Sequence, residues 1–364
     1  MEAVLQVVQR INFYLSDYIL VFLLIGTGLY FSVRTRFVQV RCFGEGMRAV
    51  FGEFNMQGGR QKGGLSSFQA LTTAIAAQVG TGNIIGACGA ILLGGPGAIF
   101  WMWIAALFGM ATKYAEGVLA IKYRTIDENG HVLGGPFYYI ENGMGKNWRW
   151  LGKIFAFFGA GVGLLGIGTF TQVNGITAAA GNFFDQNREH VINLFGNDYS
   201  IAVVVTGILL TICVALVVLG GIQRIASVSS VIVPFMAVFY IIACIAILVL
   251  NAARIPAAFA EIIQSAFGLR AAAGGALGAV LIAMQKGIAR GIFSNEAGLG
   301  SAPIAAAAAQ TNEPARQGLV TMTGTFIDTI IVCTMTGLCI VLTGSHTAGL
   351  EGVAVTTRAF QMGL

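Results

Sequence analysis

The sequence predicts an all-α polytopic membrane protein. Mean hydropathy is +0.78, and of the 364 residues 56% are hydrophobic and only 10% charged, a composition that favours a lipid-embedded chain. The apolar residues form blocks of the length that a helix needs to cross a bilayer. Lys and Arg residues concentrate in alternate connections between these blocks, as expected when short cytoplasmic loops retain the positive charge.

Eight apolar blocks predict eight membrane crossings. The first block is retained as a mature helix, because it is longer and its N-terminal flank less basic than in a cleaved signal peptide. The loop 34–62 is rich in arginine, so the N-terminus is predicted outside and this loop inside. The predicted spans lie at about 18–33, 68–92, 97–121, 150–181, 200–220, 228–251, 275–308 and 318–343.

The second block contains a glycine-rich interruption at Gln78–Gly86. Backbone polar groups cannot stay bare in hydrocarbon, so an unwound turn at this depth must be buried in protein or line a polar cavity. Interrupted helices of this kind form the binding sites of many transporters. Close helix packing also uses small residues, but it accounts less well for the polar neighbours. The predicted substrate-binding residues here are Gln78, Gly80, Thr81, Gly82 and Asn83.

The same glycines match a dinucleotide-binding fingerprint, Gly80-x-Gly82-x-x-Gly86. That motif requires a preceding β-strand and an acidic residue about 20 positions later, and the sequence supplies neither. The cysteines and histidines show no metal-binding spacing, and no nucleophile–base pair stands out. An enzyme is therefore not predicted. The net charge of +5 follows from membrane topology, and no nucleic-acid partner is expected.

A second interruption lies at Phe293–Ser301, with Pro303 able to open a new helical half. The predicted crossings place the two broken helices in opposite directions, as an inverted repeat requires. The chain is accordingly divided into an N-terminal helix with a basic loop (1–66), a first five-helix repeat (67–252) and a partial second repeat (253–364). Carbonyl groups of Phe293, Ser294 and Asn295 are expected to bind substrate as hydrogen-bond acceptors, while the start of the helix near Gly82 offers free N–H groups and the positive end of its dipole.

Asp328 lies near the middle of an otherwise uncharged span. An ionisable residue at that depth is costly and indicates function, and a hard cation such as sodium prefers oxygen ligands. Lys113 and Glu116, three residues apart on one helix, are interpreted as a packing pair. Two alternatives stay open elsewhere: Lys286 and Arg290 line an outer vestibule or extend to the interface, and Glu296 pairs with one of them or gates the pathway.

The segment Gly94–Trp103, following Gly80–Asn83, closely resembles the motif of the sodium:alanine symporter family. The likeness extends through Ser294–Pro303 and Asp328–Thr329 and covers nearly the whole chain. It implies a leucine-transporter-like fold, with one extra N-terminal helix before ten core helices in two inverted sets of five. Gln172 resembles a substrate-contacting glutamine of the family, although an interhelical hydrogen bond is an equal alternative.

The resemblance also implies the ion sites. One sodium ion is expected at Asn83, Asp328 and Thr329. A second site would use the carbonyls of Ala76 and Val79, and this second site is expected to be incomplete. The second site is expected to be incomplete because the chain ends at Leu364, before the eighth core helix of the family pattern. The second repeat is therefore expected to be C-terminally truncated.

The functional hypothesis is sodium-coupled import of a small neutral amino acid, alanine or glycine, across the cell membrane by alternating access. Sodium is the coupling ion, and the lipid bilayer is the surrounding medium. Two alternatives are a passive channel and a truncated relic that binds solute without transporting it. The sequence indicates no oligomeric state and does not distinguish alanine from glycine.

Overall fold

A computed structural model describes residues 2–51, 75, 79–128, 132–166, 169–187, 189–194, 196–269, 275–309 and 311–364. Helices dominate these parts of the chain, in agreement with the predicted fold class. Within them, seven helical stretches are long and apolar enough to cross a membrane. They are Val4–Arg34, Ala98–Lys122, Lys146–Phe184, Ile201–Val218, Gln223–Leu250, Ala276–Asn295 and Pro314–Thr343.

The N-terminal span begins earlier than predicted, because the helix already starts at Glu2. A π-helical stretch, Leu15–Leu20, joins its two halves, and Phe37 then adopts a left-handed conformation (φ 54°) that turns the chain into the basic segment. The helices are α1 (Glu2–Tyr14), α2 (Val21–Arg34), α3 (Val38–Arg41) and α4 (Phe43–Phe51).

The next part of the chain contains most of the predicted first repeat. The predicted span 150–181 is divided into two helices at Leu165–Gly166, where Gly166 has a φ of 62°. Two short antiparallel hairpins lie in the connections, β1 (Thr125–Ile126) with β2 (Val132–Leu133) and β3 (Val191–Leu194) with β4 (Asn197–Ser200). The helices are α5 (Thr81–Gly94), α6 (Ala98–Lys122), α7 (Pro136–Tyr139), α8 (Arg149–Leu164), α9 (Thr169–Phe184), α10 (Ile201–Val218) and α11 (Gly221–Leu250).

The last part of the chain contains the second interrupted helix and the helix that carries Asp328. The latter is continuous through a π-helical stretch, Phe326–Cys333, which lies between α15 and α16. The helices are α12 (Ile255–Ala266), α13 (Ala276–Asn295), α14 (Ser301–Ala307), α15 (Pro314–Thr325), α16 (Thr334–Thr343) and α17 (Val353–Gly363).

Helix α6 lies at the centre of the packing and contacts α2, α13 and α15. Small residues allow these close approaches: an added Cβ at Gly287 would lie 2.3 Å from the Ala98 carbonyl oxygen, and one at Gly117 2.7 Å from Thr321 Oγ1. By contrast, α10 has no buried residue, is exposed over more than half of its positions and carries mainly Val, Ile and Leu. A helix that is apolar all round and unburied is stable only in lipid, so α10 faces the bilayer.

Candidate functional site

The first interruption lies immediately before α5. The Val79 N–H donates to the Ile75 carbonyl (2.6 Å), as in a helix, and Gly80 then takes an extended conformation (φ −165°). The Asn83 side chain folds back over this break, where its Oδ1 accepts from the Gly80 N–H (2.8 Å). Two predicted positions, Ala76 and Gln78, lie outside the described residues. The break places the N-terminus of α5 beside the residues described next.

The second interruption lies after Asn295, so the prediction that Phe293–Asn295 is unwound was wrong. These residues form the last turn of α13, because the Glu296 N–H still donates to the Ile292 carbonyl (2.8 Å). Glu296 then adopts a left-handed conformation (φ 54°), and glycines with positive φ at 298 and 300 carry the chain into α14. The carbonyls at the end of α13 remain acceptors, since the last turn of a helix has no intrahelical donors for them.

Polar side chains from α5, α13 and the π-helical stretch meet between the two breaks. Asp328 Oδ1 accepts hydrogen bonds from Asn83 Nδ2 (2.5 Å) and from Ser294 Oγ (3.2 Å). Asn83 Nδ2 also lies 3.1 Å from Ser294 Oγ. Residues more than 200 positions apart in the chain are thereby joined at one point.

The second oxygen of the Asp328 carboxylate also accepts a hydrogen bond. Its Oδ2 accepts from Thr329 Oγ1 (2.7 Å), and Thr329 Oγ1 accepts in turn from Asn295 Nδ2 (3.2 Å). Cys333 Sγ lies 3.3 Å from Ser294 Oγ. Solvent exposure is at most 3% for each of these residues. We call this group the polar cluster; its members are Asn83, Ser294, Asn295, Asp328, Thr329 and Cys333.

The polar cluster offers a carboxylate and several hydroxyl and amide oxygens in a buried place, which is the donor set that a hard cation prefers. The orientation of the Asn83 side chain, however, does not suit cation binding. The Asn83 amide directs its nitrogen, not its oxygen, toward Asp328, because the oxygen accepts from Gly80. An ion between Asn83 and Asp328 would therefore require this amide to turn over.

A cavity of about 570 Å³, the central cavity, adjoins the polar cluster. Among the residues that line it are Gly80, Thr81 and Gly82 at the start of α5, and Phe293 and Ser294 at the end of α13. The Thr81 hydroxyl is buried without a hydrogen-bond partner in the described part of the chain. An unpartnered hydroxyl in a cavity wall is available to a bound molecule.

Gln172 of α9 closes the central cavity from the side. An added Cβ at Gly80 would lie 3.6 Å from Gln172 Oε1, so this side chain faces the first break. The structure thus brings Gly80, Thr81, Gly82, Gln172, Phe293 and Ser294 to one cavity. Asn83, Asn295, Asp328 and Thr329 instead lie in the polar cluster, and Val79 is buried nearby in an apolar group with Ile75 and Val332.

Two parts of the site, an aromatic wall and a cysteine, were not predicted from the sequence. Phe137, Phe155 and Phe158 supply an aromatic wall of the central cavity, and the three-residue spacing of Phe155 and Phe158, next to Gly159, was the available signal. Cys333, which was not among the predicted site residues, belongs to the polar cluster. Nothing in its local sequence distinguishes it from the other span cysteines.

The remaining membrane charges also have defined places. Lys113 Nζ lies 3.9 Å from Glu116 Oε2, with both side chains buried, in agreement with the predicted pair. Lys286 and Arg290 line a separate cavity of about 500 Å³ between α13 and the N-terminal helix. Glu296 lines the central cavity, and its Oε2 accepts from Ser301 Oγ (2.6 Å).

Comparison with known proteins shows the family of this chain. The family model described as the sodium:alanine symporter family matches residues 1–364. The chain belongs to the sodium:alanine symporter family. It is therefore a multi-pass membrane protein that transports amino acids by symport. The alternatives of an enzyme, a passive channel and a binding relic are not favoured. The expectation of a truncated second repeat is not supported, since the family match spans the whole chain.

Similar proteins agree with this membership. An uncharacterized transporter of Haemophilus influenzae is 55% identical over 347 residues, which are 95% of this chain and 72% of that protein. The sodium/alanine symporter AgcS of Methanococcus maripaludis is 47% identical over 355 residues (96% and 74%). The probable sodium/glutamine symporter GlnT of Bacillus subtilis is 40% identical over 359 residues (98% and 70%). Relatives of this symporter thus differ in their named substrates.

Proposed function

We propose that this symporter imports a small neutral amino acid, alanine or glycine, together with sodium, across the cell membrane by alternating access. The observation that carries the proposal is the meeting of both helix breaks at one buried polar cluster beside a cavity. A leucine-transporter-like inverted repeat would produce this meeting, because it brings the two broken helices together at membrane depth. The proposal includes the division of the chain into 1–66, 67–252 and 253–364 and an external N-terminus.

The substrate is placed in the central cavity. Its carboxylate is held at the first break by the free N–H groups of α5 around Thr81 and Gly82, where the helix dipole also favours negative charge. The carbonyls at the end of α13, from Phe293 to Asn295, and those near Gln78 and Gly80 accept from the ammonium group. Gln172 and the Thr81 hydroxyl complete the polar contacts, and the phenylalanines cover the side chain.

Sodium is placed in the polar cluster, with Asp328, Thr329 and, after its amide has turned over, Asn83 as ligands. A second site would use the Val79 and Ala76 carbonyls. Inward movement of one charge through 100 mV releases about 2.3 kcal/mol. At about 1.4 kcal/mol per decade, that work alone accumulates a solute roughly fifty-fold. No covalent step is needed.

Uptake of labelled alanine and glycine into proteoliposomes tests the proposal. An inward sodium gradient should concentrate the amino acid above its external level, while choline in place of sodium, or a sodium ionophore, should abolish accumulation. Labelled glutamine in a parallel experiment determines whether the pocket admits a longer side chain. Equilibration without dependence on sodium would indicate a channel, and sodium-dependent binding without accumulation would indicate a relic; either result contradicts the proposal.

A further inference from the structure

Lys113 is the largest fully buried side chain that carries a charge, with 0% of its surface exposed. Its ammonium group lies 3.9 Å from Glu116 Oε2, beyond hydrogen-bonding distance. Within the described part of the chain, Lys113 Nζ and Glu116 Oε2 are both buried without a hydrogen-bond partner. A buried ion pair adds little to stability, since desolvation offsets much of the attraction. Packing alone therefore gives a poor account of it.

The pair faces the second break. On the same side of α6, an added Cβ at Gly109 would lie 3.2 Å from Ala297 Cβ, and one at Gly298 would lie 3.7 Å from Thr112 Cγ2. The backbone amides of Gly298 and Gly300 approach the Glu116 carboxylate closely enough to interact with it. Lys113 and Glu116 thus border the segment that leads from the polar cluster into α14.

The face of α6 that carries Lys113 also meets the polar cluster. One turn before Lys113, an added Cβ at Gly109 would lie 3.7 Å from the Asn295 side chain, which donates to Thr329, the hydrogen-bond partner of Asp328. Charges this close together are weakly screened in a buried, low-dielectric place. A positive charge near Asp328 repels a cation bound there, whereas the Glu116 carboxylate beside Lys113 reduces that repulsion.

We propose that Lys113 and Glu116 set the sodium affinity of the Asp328 site through space and with opposite signs: Lys113 weakens sodium binding and Glu116 strengthens it. Neither residue touches the ion. A moderate affinity serves transport, because an ion that binds too tightly is not released on the other side. This inference rests on the proposed sodium site at Asp328.

The test compares Lys113→Met, Glu116→Gln and the double variant by the sodium concentration that gives half-maximal binding of labelled alanine to the purified protein. Lys113→Met should lower this concentration roughly tenfold, because repulsion is removed. Glu116→Gln should raise it by a similar factor, and the double variant should lie between the two. Lys122→Met, at the exposed end of the same helix, should match the wild type.

Sodium-dependent thermal stabilisation provides a second readout. Shifts of both single variants in the same direction, or no shift in either, would overturn the inference, since a merely structural pair weakens binding whichever partner is lost. Failure of both single variants to fold would also overturn it in favour of a structural pair. If instead the wild type binds without sodium, or Asp328→Asn leaves sodium dependence unchanged, it is the proposed sodium site that fails.

Discussion

The side-chain amide of Asn83 joins the first helix break to the polar cluster. Its oxygen accepts from the Gly80 backbone, and its nitrogen donates to Asp328. The assignment of oxygen and nitrogen follows from the hydrogen-bond pattern, and here both neighbours agree with it. Turning the amide toward a cation would release the Gly80 N–H at the first break. Ion binding would thereby free a donor for the substrate carboxylate, which couples the two ligands through a single side chain.

Replacement of Asp328 by Asn tests the cation site at the residue scale. The variant removes the negative charge but keeps the shape of the side chain, so the sodium concentration for half-maximal alanine binding should rise at least about tenfold, or about 1.4 kcal/mol. Alanine binding at saturating sodium should change less. Asp198→Asn, on the β3–β4 hairpin, is the matched control and should have no effect. Unchanged sodium dependence in Asp328→Asn would make this carboxyl group structural.

Asp185, after the end of α9, provides a prediction about pH. The Ser200 hydroxyl donates to Asp185 Oδ2 (2.5 Å) and is the main cause that lowers the pKa of Asp185 below its ordinary value. The resulting stability is present above the ordinary pKa of about 4 and is lost as the pH falls through the lowered value. Ser200→Ala should therefore lower the melting temperature at pH 7, and the difference from the wild type should shrink toward pH 3. A difference independent of pH would contradict this linkage.

At the scale of elements, the second helix break is formed by its own residues and positioned by contacts with neighbouring helices. The turn between α13 and α14 combines a left-handed Glu296 with two glycines at positive φ. Gly300 passes close to Pro136 and Phe155, where an added Cβ would lie 2.7 Å from side-chain carbons. The aromatic wall of the central cavity and the second break therefore fix each other's position.

Gly300→Ala should disturb this contact. It combines backbone strain at a φ of 80° with overlap against Phe155, for an expected cost of about 2–4 kcal/mol. Thermal melting should show this loss, accompanied by weaker alanine binding. Gly344→Ala is the matched control, because Gly344 also has a left-handed backbone (φ 69°, ψ 13°) but nothing within 4 Å of an added Cβ; it should cost about 1–2 kcal/mol and leave binding intact. Equal effects of the two variants would show that contact with the aromatic wall is unimportant.

Gly82→Leu tests the opening of α5 as a binding element. Gly82 lines the central cavity and has nothing within 4 Å of an added Cβ, so a leucine side chain would extend into the space assigned to the substrate. Alanine binding should weaken at least about tenfold, while membrane insertion and the melting temperature stay close to those of the wild type. Gly82→Ala should have a smaller effect. Unaltered binding by the leucine variant would exclude the proposed substrate position.

At the scale of the whole molecule, the polar site residues are buried between helices, and apolar side chains cover the outward-facing helices. The polar cluster and the Lys113–Glu116 pair lie among the helices that pack around α6, whereas α10 presents apolar side chains outward. Lys113, Glu116 and Asp328 are thus buried among packed helices, as the cost of an unpaired charge in hydrocarbon requires. The excess of Arg in the connection after α2 is the feature that predicts the orientation of the whole bundle.

Cysteine labelling of intact cells tests this orientation. Val4 and Val40 are both well exposed, at 67% and 65%, and they lie on opposite sides of the first span. In a background with Cys42 and Cys213 replaced by Ser, a membrane-impermeant maleimide should label Val4→Cys but not Val40→Cys until the cells are permeabilised. The reverse pattern would place the N-terminus inside and invert every later loop.

The sequence by itself determined the membrane class, most of the spans, the two interruptions and the choice of Asp328 as a candidate site residue. Hydropathy, glycine clusters and a lone buried acid act locally, so they are visible along the chain. Only the tertiary structure decided that α13 remains helical through Asn295, because backbone hydrogen bonds and the Asn295 side chain hold that turn. It also decided which atoms meet: the Asn83 amide nitrogen at Asp328, Cys333 beside Ser294, and the phenylalanines around the cavity. These contacts join residues far apart in the chain, and their geometry depends on how the helices pack.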